Sequence, residues 1–70
     1  MRAAVMLRAK KEFMGSVEPT GYVVDAPSLE AALHVAEEQH ADVRMYAYRA
    51  IPVADDMKLG QIPTVYPKRG

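Results

Sequence analysis

The chain has 70 residues, a formal net charge of zero and no cysteine. A domain of this length buries only about 60% of the surface its unfolded form exposes, and its core alone supplies no more than about 3–5 kcal/mol. The missing cysteine excludes disulfides and thiolate metal sites, two histidines leave structural zinc without a ligand set, and no segment reaches the roughly 18 apolar residues of a membrane span.

Half of the residues are apolar and 26% are charged, the composition of a globular chain. The segment Met1–Leu7 starts like a signal peptide, but Arg8, Lys10 and Lys11 interrupt it, so it is read as mature sequence. A cysteine-free chain suits a reducing cytoplasm, the expected location. With neither disulfide nor metal, self-association is the expected supplement to a small core, and a homodimer is anticipated. The charges are sorted along the chain. Arg2, Arg8, Lys10 and Lys11 open it without an acid, residues 12–42 carry acids without Lys or Arg, and residues 43–70 return to a basic excess.

From Ala3 to Phe13 the sequence alternates. Val5, Leu7, Ala9 and Phe13 fall on one side, and Met6, Arg8, Lys10 and Glu12 on the other, which is the period of a half-buried strand. Gly15-Ser16 breaks the run. A second strand is expected around Tyr22-Val23-Val24, beginning only after Pro19 or lying at a sheet edge. Pro27-Ser28 then changes the period. Ser28 is an N-cap, Glu30 complements the positive helix end, and Leu29, Ala32, Leu33, Ala36 and His40 share one arc, giving an amphipathic helix over about Ser28 to Ala41. Its inward residues are expected to pack on Val5, Leu7, Val23, Met45 and Ala47.

Alternation returns from Val43 to Ile51. Val43, Met45, Ala47 and Ile51 are assigned inward, Arg44, Tyr46 and Tyr48 outward, and Pro52 is expected to end the strand. Val53 to Leu59 reads as one helical turn stopped by Gly60. The two prolines of Gln61–Pro67 make residues 61–70 an extended arm following a domain of residues 1–60. The expected fold is therefore α+β: a small antiparallel three-stranded sheet in the order β-β-α-β, with spatial order 2-1-3, one helix on one face and an open second face.

No catalytic or cofactor motif is present. Gly15, Gly21 and Gly60 belong to no phosphate-cradling sequence, and Ser28 is accounted for as a cap and Ser16 as a turn residue. The adjacent Asp55 and Asp56 read as a solvated loop pair. His34 and His40 stand about 120° apart around the helix and do not chelate one ion. No enzyme, metal or cofactor is expected.

Contact surfaces remain. The open face is expected to display Arg8, Lys10, Arg44, Tyr46 and Tyr48, residue types enriched where proteins touch. The expected function is a non-enzymatic protein-binding module. The alternative is a single-stranded nucleic-acid-binding domain using the same basic and tyrosine residues, with bases stacked on rings and phosphates on cations. Secondary candidates are the acidic helix ridge of Glu30, Glu37 and Glu38, and Ile62 and Tyr66 in the arm. A short cysteine-free chain with one helix on a small sheet resembles, in general texture, phage-encoded accessory proteins that inhibit a host machine. The resemblance implies an inhibitor or adaptor acting on a host or partner protein.

Overall fold

A computed structural model describes residues 1–62. One helix packs on a four-stranded antiparallel sheet built from β1 (Arg2–Ala9), β2 (Thr20–Asp25), β3 (Met45–Val53) and β4 (Gly60–Ile62), ordered β3-β1-β2-β4; α1 (Leu29–His40) lies between β2 and β3 in sequence. The α+β arrangement read from the sequence is present, and a fourth strand extends it. Gln61 and Ile62 therefore join the sheet, and the rest of the arm, Tyr66 included, lies outside the described residues.

Helix α1 forms where the sequence placed it. Ser28 Oγ accepts the Ala31 N–H (3.1 Å), and Ala41, with extended backbone, ends the helix. Ala32 and Ala36 are fully buried. Their small side chains bring the helix against Ala3 and Val5 of β1 and Val24 of β2, while Leu29, Leu33 and Val35 pack around this centre half-buried. Burial of these residues is the main favourable contribution, at roughly 25 cal/mol per Å² of apolar surface.

Several local expectations are corrected. β1 ends at Ala9 rather than Phe13, and a 3-10 turn, Lys11–Phe13, follows, so Lys10 and Glu12 are not on the strand. β2 begins after Pro19, as that residue requires. Its register sets Val23 beside Ala4 and Tyr22 beside Val5. Directly opposed residues share a face, so Tyr22 and Val24 face the helix and Val23 faces away, the reverse of the expected packing of Val23.

β3 differs most. Val43 is 80% exposed in the turn before the strand, not inside it. Pro52 does not end the strand, which runs on to Val53; β3 is an edge strand, where a missing N–H costs no ladder bond. Between Met6 and Leu7 the register with β3 slips: Met6 opposes Arg49 and Leu7 opposes Ala47, leaving Tyr48 as the extra residue of a β-bulge. Beyond that bulge the parity inverts. Ala50 packs against the helix-covered core, and Ile51, expected inward, is 38% exposed beside Ala4 on the other face.

The expected helical turn over Val53–Leu59 is a tight turn instead, closed by Met57 N–H donating to the Ala54 carbonyl (3.0 Å). Gly60 does not stop a helix; it opens β4 at φ +121°, a conformation that suits only glycine. Since β3 and β4 are the two edges, the connection between them crosses the ends of β1 and β2. Arg2 donates to the Met57 carbonyl from the face opposite the helix, which puts the connection on that face. Among the described residues, the second face is thus covered at its Arg2 end, where Val23 is only 5% exposed, and uncovered at its Arg8 end.

Candidate protein-contact surface

The open end is built from outward residues of β1 and β3. Arg8 of β1 opposes Tyr46 of β3, and the bulge swings Tyr48 onto the same side. Arg8 Nε donates to Tyr46 Oη (2.9 Å), and the guanidinium carbon lies 4.3 Å from the centre of the Tyr48 ring and 5.7 Å from that of Tyr46. The two rings sit 6.3 Å apart at 60°. Each pairing holds the next: the hydroxyl fixes the edge of the guanidinium, and the cation lies against a π face. The Tyr46 hydrogen bond, and then the phenolic dipole behind it, hold the Arg8 pKa above its ordinary value, so the group stays cationic.

Tyr48 is 43% exposed and Ile51 38%. Next along the face, Gly21 of β2 lets side chains meet above it: a Cβ built there lies 3.3 Å from both Met6 Sδ and Ile62 Cδ1. The surface therefore runs from a cation-and-ring cluster to an apolar strip of Met6, Ile51 and Ile62. Arg49 opposes Met6 and adds a second exposed cation. Sequence reading missed Ile51 and Arg49 because both depend on the bulge.

Two residues expected in this cluster are not in it. Lys10 follows the end of β1, exposed, and its backbone N–H donates to the Arg44 carbonyl (2.7 Å). Arg44 precedes β3 and turns to Asp42: Nη2 meets Oδ2 at 2.8 Å, Nε meets Oδ1 at 3.3 Å, and the Arg44 N–H donates to Oδ1 at 2.7 Å. The Arg44 side-chain bond, followed by its backbone bond, holds the Asp42 carboxyl below the usual carboxylate range.

The acidic ridge is also divided. Glu30 and Glu38 are exposed, whereas the Glu37 carboxylate accepts the Ala47 N–H of β3 (2.8 Å). That amide points outward from an edge strand, so Glu37 closes part of the edge. His34, Glu37 and Glu38 line one shallow hollow. His40 stacks on Tyr22 with ring centres 3.8 Å apart and planes 2° apart, which explains its place on the apolar arc. Among the described residues no cluster of His, Asp and Glu is arranged to hold a metal ion, and no helix is long and apolar enough to cross a membrane. No family model matches the chain, and no curated protein and no solved structure matches it.

Proposed function

We propose that this chain is a non-enzymatic protein-binding module, a small adaptor or inhibitor, whose contact surface is the Arg8 end of the uncovered sheet face. One observation carries the reading: Arg8, Tyr46 and Tyr48 are held together on the surface, with no other element over them among the described residues. Aromatic and arginine side chains of this kind are the usual anchors of protein contacts. Holding them in place before binding reduces the ordering cost of association.

The charges favour a partner unlike the chain itself. Arg2, Arg8 and Arg49 share this face, and Asp25 is the one acid among its strand residues. Pairing two copies face to face sets like charge on like. An acidic and apolar surface on another protein is the better complement.

The test is affinity capture from the source cell with three forms of the chain. Tyr46→Ser/Tyr48→Ser should lose a protein that both the unmodified chain and Glu30→Ala/Glu38→Ala retain. Loss from the helix variant instead moves the contact to the acidic ridge. In parallel, binding to oligothymidine is followed against salt. Tight binding with a steep salt slope would make the face a nucleic-acid surface, because counterion release follows the phosphates neutralised. Sedimentation at twice the monomer mass, abolished by the tyrosine double variant, would make it a homodimer surface.

A further inference from the structure

The Arg8 cluster adjoins a hollow that the core does not use. It has a volume of about 190 Å³ and is lined by Arg8, Ala9, Met14, Gly15, Val17 and Pro19. Met14 is 73% exposed there, and Gly15 turns the chain at φ +91° while Met14 and Val17 form a single bridge. Apart from Arg8 the lining is uncharged. An apolar cavity of about 150 Å³ holds a benzene, so this hollow admits a branched aliphatic or phenyl side chain. Methionine at its rim adapts to either.

Arg8 itself is held at one edge and on one plane. Its Nε is taken by Tyr46 and its plane by Tyr48, while its two terminal nitrogens have no acceptor among the described residues. A guanidinium fixed this way presents a planar pair of donors, the geometry that meets a carboxylate with two parallel hydrogen bonds.

Resting on the protein-binding reading above, we infer that the partner is recognised through a carboxylate side chain adjacent to a large apolar one, with Arg8 taking the first and the Met14–Val17 hollow taking the second. The fork alone would equally take a phosphate. The hollow favours a peptide, because it offers an apolar side chain a seat and offers a nucleobase no ring to stack on.

The probes are two blocked tetrapeptides, Gly-Glu-Leu-Gly and Gly-Gln-Leu-Gly, titrated into the isotope-labelled full chain by NMR at millimolar concentration. The Glu peptide should shift the Arg8 Nε–H, the Met14 methyl and the Gly15 and Val17 amides. The Gln peptide should bind about tenfold more weakly, since it forfeits the charge-assisted pair. Arg8→Gln, which removes the charge, should erase that discrimination while the Met14 and Val17 shifts persist. Equal binding of the two peptides, shifts confined to other residues, or no shift at all overturns the assignment, as does oligothymidine moving the same signals more tightly. If the tyrosine double variant loses the captured protein but Arg8→Gln retains it at full strength, the acidic assignment fails and the protein-binding reading stands. If neither variant changes capture, the reading itself fails.

Discussion

β1 supplies both faces of the sheet, and its side chains meet different surroundings on each. Ala3, Val5 and Leu7 are fully shielded on the helix side. Arg2, Met6 and Arg8 on the other side meet a crossing loop, a half-buried apolar strip and open solvent in turn. The helix face is filled with small and branched residues that let α1 approach closely. The opposite face is polar at both ends, at Arg2 and Asp25 and again at Arg8 and Tyr46, with Ala4, Val23 and Met6 between them. The covered face accounts for folding; the uncovered end carries side chains that folding does not require. Their mutual contact, rather than the mere existence of a bare face, sets Arg8, Tyr46 and Tyr48 apart.

The largest effect should come from the covered face. Leu7 is fully buried, so Leu7→Ala should cost about 2–5 kcal/mol. In a domain whose core supplies about 3–5 kcal/mol, that is enough to abolish a cooperative melt near room temperature. Met6→Ala, one residue away on the other face, should leave a sigmoidal urea transition displaced by a fraction of that amount. Equal losses at both positions would erase the distinction between the faces.

A sharper version uses two neighbours in β3. Ala50 packs against the core and Ile51 is outward. Ala50 is half-buried against the core, so Ala50→Asp sets a partly desolvated carboxylate with no partner against apolar side chains, at a cost of about 1–3 kcal/mol or more. The variant should be unfolded by circular dichroism. Ile51→Asp should stay folded, at a cost of about 1 kcal/mol or less in strand propensity, while weakening any contact made by this face. The reverse pattern would mean that the bulge is absent and the strand alternates without a break.

That bulge is where the sequence was hardest to read. The helix was legible because its cap, its acidic first turn and its apolar arc agree, and the chain order of the first three strands followed from period and punctuation. In β3 the unbroken alternation put Ile51 inward, but it also put Arg49 there, with no acid to pair it. An arginine at an inward position is a costly fit, and this misfit is the one sequence signal that the strand slips between Ala47 and Arg49. Arg44 carried no such signal. Whether it faces a partner or folds back on Asp42 depends on where the strand begins, and strand ends are weakly encoded. β4 was hidden for a related reason: three residues are too few to display a period, and flanking Pro63 suggested an arm. The common face of Arg8, Tyr46 and Tyr48 was therefore legible, and the positions of Lys10 and Arg44 outside it were not.

The edges of the sheet allow a smaller test. On β3 the Ala47 N–H is taken by Glu37, the Met45 N–H by the Asp42 carbonyl, and Pro52 has none to offer. Edge donors left bare are templates for pairing with another chain. Glu37→Ala should lower stability by about 0.5–1 kcal/mol, an exposed hydrogen bond to a charged acceptor being screened by water. It should also speed hydrogen exchange at Ala47 and raise the tendency to aggregate on heating. If Ala47 exchange is unchanged, Glu37 belongs to a free acidic ridge and regains its standing as a contact residue.

The smallest effect concerns the turn that leads into β3. Asp42 accepts three hydrogen bonds from Arg44, one of them from its backbone N–H, and its carboxyl is held below the ordinary range chiefly by the Arg44 side chain. A group whose folded pKa is depressed contributes stability above its unfolded value, about 3.9 for aspartate, and loses that contribution as pH falls through the folded value. The contribution is therefore intact at neutral pH and disappears only in acid. An NMR titration should find the Arg44 amide shift constant from neutral pH down to the ordinary aspartate range, then moving at lower pH in step with the Asp42 carboxyl. Asp42→Asn should remove that inflection, flatten this part of the acid limb of the stability profile, and release Arg44 toward solvent. If the Arg44 amide instead titrates at an ordinary aspartate value, the pair is not formed in solution. Arg44 is then available to the sheet face, and the cation cluster around Arg8 is larger than the geometry assigns.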